Sequence, residues 1–185
     1  TYRVVVQDVA ATTQYTAQMA ASPGGCGTTI PLGSTIGSGG TGGATWTTTG
    51  SPYCIAGTNI ISGTLTVNAG VVILAASGSN TGITVGSGAT LITQGSSTAP
   101  VTFTSANVSP TAGDWRGITF ASGSVASGIA SDNFTGSGSV LQYTIIEYAG
   151  PGLSTVVSLY LDNLTIQNNR NTTSHGGGIF ANLPA

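Results

Sequence analysis

Residues 65–103 read LTVNAGVVILAASGSNTGITVGSGATLITQGSSTAPVTF, and this stretch decides the fold. It repeats a short unit made of an apolar residue, a threonine and a second apolar residue. With one more copy downstream, the units follow one another at nearly equal intervals: Leu65-Thr66-Val67, Ile83-Thr84-Val85, Val101-Thr102-Phe103 and Ile118-Thr119-Phe120. After a Gly- and Ser-rich segment at residues 121–139, here named the excursion, similar units begin at positions 141, 159 and 179.

Short apolar-polar alternation with turn-forming residues between the units predicts β-strands, and no segment offers twelve residues of helical periodicity. A nearly constant repeat of this kind favours a solenoid over a sandwich or a barrel, because each coil then stacks on the one before it. The sequence therefore predicts an all-β fold, a parallel β-helix of about seven coils.

In this scheme the units lie directly above one another, and their apolar residues point inward. The threonines of the units then form a single outward column: Thr66, Thr84, Thr102 and Thr119. Two interpretations of this column are open. Threonine is a good strand former on a solvated face, or the hydroxyls form an array that binds ice or a polysaccharide. The first is favoured, since a single file of hydroxyls lacks the width of a matching surface.

The chain divides into an N-terminal strand region (residues 1–20), a Gly/Thr/Pro-rich loop region (residues 21–57) and the β-helix (residues 58–185). Cys26 and Cys54 lie in the loop region. We expect a disulfide between them, which in a chain-entropy treatment stabilises the fold by about 3 kcal/mol. The alternative is two buried thiols. Two cysteines without further Cys or His cannot complete a closed zinc site.

Charge is scarce: the 185 residues carry a formal net charge of −2, with three arginines and no lysine. So few cations cannot neutralise a run of phosphates, which argues against nucleic acid as a partner. No run approaches the ~20 apolar residues that span a bilayer, so we expect no membrane insertion. Because the sequence begins at Thr1, we expect a mature secreted form or a piece of a longer protein. The expected location is extracellular.

Four tripeptides have the pattern of an N-glycan acceptor, Asn-x-Ser/Thr. Because Ser and Thr are abundant here, the pattern is weak evidence for a glycoprotein. The candidate acceptors are Asn107, Asn133, Asn163 and Asn171.

Three segments, residues 99–105, 113–120 and 140–149, resemble the right-handed parallel β-helix repeats of bacterial secreted and cell-surface proteins. Residues 176–180, Gly-Gly-Gly-Ile-Phe, are similar to a motif of related surface proteins. The resemblance covers about residues 58–185 and implies the pectate-lyase-like superfold. It implies no single activity, because this fold carries pectin-cleaving enzymes, adhesins and passenger domains alike.

A polysaccharide lyase or hydrolase would need paired carboxylates, or a calcium-binding acidic cluster with a basic residue. The acids are Asp8, Asp114, Asp132, Glu147 and Asp162. The offset between Glu147 and Asp162 does not match the repeat, so these two are not expected to pair.

Asp114 and Arg116 flank Trp115 at alternate positions, which predicts a solvated ion pair beside a core tryptophan. His175 lies in a Gly-rich turn without an acid or cysteine nearby in the sequence. The sequence therefore predicts no catalytic residue, no cofactor and no metal site.

The leading functional hypothesis is an extracellular structural protein that forms a fibre or surface layer with itself as partner. The strand at the N-terminus would present Tyr2, Val4 and Val6 to the next copy, or pack on its own fold instead. At the other end, no cap is visible on the last coil, so we expect either a chain cut from a longer array or a partner that covers the coil.

Two alternatives remain. One is a carbohydrate-binding or adhesin module that uses exposed Tyr148 or Tyr160 as sugar platforms, with Tyr143 assigned inward by the repeat. The other is a truncated polysaccharide lyase or hydrolase.

Overall fold

The computed structural model describes residues 3–7, 14–18, 25–38, 44–130, 133–172 and 176–183. These residues form an all-β fold, with one 3-10 turn at Thr48–Gly50 and no α-helix. An N-terminal hairpin pairs β1 (Arg3–Gln7) with β2 (Gln14–Gln18) in antiparallel register. The other long-range pairing runs through three parallel sheets, named S1, S2 and S3 in the order in which the chain enters them.

Each complete coil contributes one strand to each sheet, and the ranges follow for each sheet in chain order. S1 contains β3 (Thr28–Thr29), β6 (Tyr53–Ile55), β9 (Val72–Ala75), β12 (Val101–Ser105), β17 (Thr144–Glu147) and β20 (Thr165–Gln167). S2 contains β4 (Thr35–Ile36), β7 (Thr58–Ile61), β10 (Gly82–Val85), β13 (Ile118–Phe120), β18 (Leu153–Thr155) and β21 (Ile179–Ala181). S3 contains β5 (Thr45–Trp46), β8 (Thr64–Asn68), β11 (Thr90–Gln94), β16 (Val140–Gln142) and β19 (Tyr160–Asp162).

The chain visits S1, S2 and S3 in strict rotation, and the small hairpin of β14 (Ile129–Ala130) and β15 (Asn133–Phe134) interrupts the rotation between β13 and β16. This arrangement is a parallel β-helix, as the sequence predicts. The expected number of about seven coils is not confirmed, since the described strands form sheets of six, six and five strands.

The β-helix begins earlier than residue 58. The strands β3 to β6 lie within residues 28–55, which the sequence assigns to a loop region, and they pair in parallel with the strands of the next coil. Three of these strands have two residues and the fourth has three. Elements this short leave too little alternation for a periodicity argument to detect.

The predicted single threonine column is wrong. Thr66 lies on S3, Thr84 and Thr119 on S2, and Thr102 on S1. Of these, the structure pairs Thr84 with Thr119. A coil holds three strands, so the interval between the units leads from one sheet to another and not to the coil above. The true step also varies, since the step on S1 from Phe103 to Ile146 is more than twice as long in sequence as the step from Tyr53 to Ile73.

The inward direction of the apolar residues is confirmed, although they belong to three different sheets. Leu65, Ile83, Val101 and Ile118 are all buried. On S1 the interior column is continuous from coil to coil through Tyr53, Ile73, Phe103, Ile146 and Ile166. Burying side chains of this size contributes ~1.5–3 kcal/mol each, so these columns hold the coils together.

The expected disulfide between Cys26 and Cys54 is present, with a Cα–Cα distance of 5.7 Å. Cys54 lies in β6, and Cys26 lies just before β3, the strand beside it in S1. The bond therefore links two neighbouring coils near the first strands of the β-helix.

The strand expected to mediate assembly is half of the N-terminal hairpin. Val4 pairs with Ala17 and Val6 with Tyr15, while Tyr2 lies outside the described residues. One edge of β1 is thus occupied within the chain, and pairing with a neighbouring copy stays a prediction that concerns the opposite edge.

The interior column on S1 gives a test of the packing. Phe103→Ala should lower the free energy of unfolding by about 3–5 kcal/mol, because it leaves a cavity between Ile73 and Ile146. The matched control is Thr102→Ala, the next residue on the outer face of the same strand, with an expected cost below about 1 kcal/mol. Urea unfolding followed by circular dichroism measures both. Equal costs would contradict the assignment of inward and outward faces.

Candidate functional site

The outer face of S3 carries three rows of side chains that run across the strands from coil to coil. An amide row crosses four strands and ends in an acid: Asn68, Gln94, Gln142 and Asp162. A middle row changes from hydroxyl to apolar and aromatic: Thr45, Thr66, Ile92, Val140 and Tyr160. On the far side of the middle row, Thr90 donates a hydrogen bond from its hydroxyl to that of Thr64 at 2.9 Å.

Two features of a parallel sheet produce these rows. Side chains alternate between the two faces of a strand, so Thr90, Ile92 and Gln94 point outward while Leu91 and Thr93 are buried inside. Parallel pairing in register then places each outward residue beside its counterpart on the next coil.

The excursion turns this face into a groove. Phe134, Gly136 and Gly138 of the excursion approach Thr90, Gln94 and other outward residues of S3, and the groove between them has a volume of about 390 Å³. Gly138 has a φ of 80°, and a Cβ on it would collide with the carbonyl oxygen of Ala126. The position therefore requires glycine for the excursion to fold back.

Hydrogen bonds tie the excursion to S3. The Ser127 hydroxyl donates to the carbonyl of Ser139 and accepts from the backbone N–H of Tyr160 at 2.6 Å. The Ser139 hydroxyl accepts from the backbone N–H of Leu91 at 3.2 Å. Ser127 and Ser139 are both buried, so these bonds form away from water, where breaking them is costly.

An aromatic pair stands beside the groove. The rings of Phe134 and Tyr160 stack with their centroids 5.0 Å apart and their planes 28° from parallel. Tyr160 belongs to the middle row of S3, next to Val140 on the neighbouring strand. The pair is an apolar platform at one end of a polar surface.

The other tyrosines considered in the sequence lie at corners of the coils. Tyr143 connects β16 to β17 with a φ of 43°, and Tyr148 follows β17 with a φ of 60°. The inward assignment of Tyr143 is therefore wrong, since its side chain is half-buried at the corner between S3 and S1.

The acids of the described part of the chain are dispersed. Glu147 lies on the outer face of S1, where Thr104 donates to its Oε1 at 3.0 Å and Gln167 to its Oε2 at 2.9 Å. Asp162 lies on S3 and accepts from Asn163 at 2.8 Å and from Gln142 at 3.5 Å.

Among the described acids Asp114 is the buried one, and the expected solvated ion pair with Arg116 is replaced by a set of hydrogen bonds. Its Oδ2 accepts from the Ser105 hydroxyl at 2.6 Å, the Asn107 amide at 2.7 Å and the Thr111 backbone N–H at 3.1 Å. Its Oδ1 accepts from the Thr111 hydroxyl at 2.6 Å. The guanidinium of Arg116 instead reaches the hydroxyl of Thr84 at 3.4 Å. Asp114 thus fastens the loop between β12 and β13, while Trp115 is buried in the core as expected.

The environment of Asp114 sets its ionisation. Burial raises the pKa of the carboxyl, but the hydrogen bonds from Ser105, Thr111 and Asn107 outweigh burial, so the pKa lies below the usual value of 3.8. A depressed pKa in the folded state means that this carboxylate stabilises the fold above pH 3.8. The stabilisation is lost as the pH falls through the lower folded-state pKa.

This arrangement predicts that Asp114→Asn lowers the free energy of unfolding by about 1–3 kcal/mol at neutral pH, because hydrogen-bond donors lose a charged acceptor. The gap to the wild type should begin to narrow below pH ~3.8, where the unfolded-state carboxyl takes up its proton, and should close only below the lower folded-state pKa. Thermal unfolding across this pH range measures it. Asp162→Asn, a half-buried acid on S3, serves as the control and should cost less; a gap independent of pH would contradict the role of the charge.

The candidate glycan acceptors differ in their surroundings. Asn163 is exposed and occupies the corner after β19 with a φ of 52°. Asn107 is exposed too, but its amide nitrogen is held by Asp114. Asn171 is half-buried, and the side chain of Asn133 lies outside the described part. Glycosylation at any of the four stays a prediction.

The last coil leaves interior side chains partly open to solvent. Leu161 of β19 stacks on the fully buried Leu141 and is 36% exposed, and Ile179 of β21 stacks on the fully buried Leu153 and is 45% exposed. The surface formed by β19, β20 and β21 is here named the C-terminal edge.

The described residues contain no group of three or more His, Cys, Asp or Glu that could hold a metal ion. Within the same part of the chain, no helix has the length and apolar content needed to cross a bilayer. His175, Asp8 and Asp132 lie outside the described residues.

Stacked parallel strands in three sheets define a parallel β-helix protein. The sequence model of the pectate-lyase-like beta helix domain matches residues 41–157, which run from just before β5 to just after β18, and the chain belongs to this family. No curated protein and no solved structure matches the chain.

The sequence identifies Tyr160, which lies beside the S3 groove, as a candidate but none of the residues that line the groove. The amide row steps from Asn68 to Gln94 and then almost twice as far along the chain to Gln142, so a search at a fixed period does not align its members. Phe134 lies in the excursion, which resembles an unstructured Gly/Ser linker. The detectable signal was the pair of outward amides, each at the end of an alternating apolar run.

Proposed function

We propose that the chain is an extracellular, non-catalytic β-helix protein that binds polysaccharide in the S3 groove. The observation that carries the proposal is the Phe134–Tyr160 platform beside in-register rows of amide and hydroxyl side chains. Binding sites for small polar ligands combine apolar or aromatic surface with a few placed hydrogen-bonding groups, and this groove offers both.

The positions of the three described acids support a binding role over a catalytic one. Asp114, Glu147 and Asp162 belong to a buried loop anchor, to S1 and to S3, and each carboxylate accepts hydrogen bonds from neighbouring side chains. Acid–base cleavage of a glycosidic bond needs two carboxyl groups that flank the same bond. The disulfide between Cys26 and Cys54 supports an oxidising, extracellular location.

Removal of the platform tests the binding site. Tyr160→Ala should weaken polysaccharide binding about tenfold, because it takes away one ring of the stacked pair. Tyr148→Ala, which removes a tyrosine at the corner after β17, is the matched control and should bind like the wild type. A glycan array followed by titration of the best ligand measures both. Equal binding by the wild type and Tyr160→Ala would contradict the site.

End-to-end assembly is the second candidate, and the C-terminal edge favours it. Leu161 and Ile179 continue the interior columns of S3 and S2 but are only partly covered. A coil from a second copy could pair with β19, β20 and β21 and bury these side chains, and a contact of this kind that does not close gives a filament. Because the net charge of the chain is low, electrostatic repulsion between two approaching copies is weak.

Assembly predicts a concentration-dependent mass above the 18.1 kDa of one chain in light scattering after size exclusion. Ile179→Asp should shift the distribution toward the monomer, because it places a charge in the contact. Val108→Asp, at an exposed position on the loop after β12, is the control and should leave the mass unchanged. A monomer at every concentration would exclude end-to-end assembly while leaving glycan binding intact.

A further inference from the structure

Positive charge is missing from the described part of the S3 face. None of the described residues that line the groove is charged. The acid nearest to it on the same face is Asp162, which accepts from the amide of Gln142 at the groove. The two arginines of the β-helix lie elsewhere: Arg116 reaches Thr84 on S2, and Arg170 follows β20 and donates its backbone N–H to Ala149.

This charge distribution disfavours an acidic sugar. A uronate bound over Gln142 would lose water from its carboxylate without gaining a cation from the lining, and it would approach the carboxylate of Asp162. An uncharged sugar has no carboxylate to desolvate and is not repelled by the carboxylate of Asp162.

The hydrogen-bonding groups of the groove suit hydroxyls. An amide side chain offers both donors and acceptors, and a threonine hydroxyl does the same. Gln94 and Gln142 stand side by side along one margin, and Thr64 and Thr90 stand along the other. Sugar hydroxyls also donate and accept, so either margin can pair with them in whichever direction they point.

The direction of the rows defines the direction of the ligand. All three rows cross the strands and so run along the axis of the β-helix, with neighbouring strands about 4.8 Å apart. Val140 lines the groove but is only 4% exposed, so the accessible apolar surface of this row is that of the half-buried Ile92 and Tyr160 on either side of it. A chain laid along the row keeps the C–H faces of its rings on this surface and its hydroxyls toward both margins. A chain laid along the strands would cross one member of each row only.

We propose that the ligand of the S3 groove is an uncharged polysaccharide that lies along the axis of the β-helix. The inference deepens the glycan-binding function proposed above and depends on it. It adds the class of ligand and the residues along the amide margin, with Gln94 as the exposed contact.

Affinity electrophoresis of the full chain tests the inference, with gels that contain galactomannan, hydroxyethyl cellulose or polygalacturonate, at low and at high salt. Galactomannan and hydroxyethyl cellulose should both retard the protein. For each of them the retardation should be the same at low and at high salt, because no ion pair is involved. Polygalacturonate should not retard it.

Gln94→Glu should weaken binding to the neutral polymers about three- to tenfold, because it replaces amide donors by a charge. The matched control is Asn168→Asp, the same amide-to-carboxylate change at an exposed corner between S1 and S2. It should bind within about twofold of the wild type. Equal weakening by the two variants would place the ligand outside the S3 groove and overturn the inference.

The remaining outcomes separate the inference from the proposed function. Retardation by polygalacturonate alone, weakened by salt, would refute an uncharged ligand and leave glycan binding standing. Equal retardation by all three polymers would refute the selectivity. Retardation by none would contradict glycan binding itself.

Discussion

Register between successive coils is the constraint on which the rest of the structure depends. Parallel strands pair residue by residue, so each coil must return its strand to the position above the last one. The number of residues between two successive strands of the same sheet is not constrained in this way. On S1 the step from Phe103 to Ile146 spans more than twice as much sequence as the step from Tyr53 to Ile73, and the pairing is kept in both cases. The additional residues form the loop between β12 and β13 and the excursion between β13 and β16, and closing a longer loop costs little additional entropy.

The same constraint builds the outer surface as well as the core. On S3, the register that stacks Leu91 on Leu65 also aligns the amides of Asn68 and Gln94. An outward row therefore needs no interaction of its own to stay straight, since the interior column already fixes it. Side chains on such a face can be selected for what they bind with little effect on stability, whereas a change to Phe103 or Ile146 disturbs the stack.

The sequence predicts the parts of this fold that are local. Alternation around Leu65, Ile83 and Ile118 correctly separates inward from outward residues, and the cysteine pair correctly predicts the disulfide. The identity of the neighbouring coil is not local, because apolar-Thr-apolar units on S1, S2 and S3 look alike. The predicted threonine column is wrong for this reason. The amide row is not predicted from the sequence, because its members are separated by unequal loops.

The excursion shows how a flat stacked face acquires a groove. A regular coil offers side chains on one plane, and such a surface encloses little volume. After β13 the chain leaves S2, and the excursion forms the small β14–β15 hairpin and then lies against S3. Hydrogen bonds of the buried Ser127 and Ser139 hold it there. Phe134 is thereby carried to Tyr160, a residue that the chain reaches only after the next coil has begun. The insertion leaves the register of the core intact, so changes at its exposed positions act on the shape of the groove, whereas changes at Ser127, Gly138 or Ser139 also remove the contacts that hold it against S3.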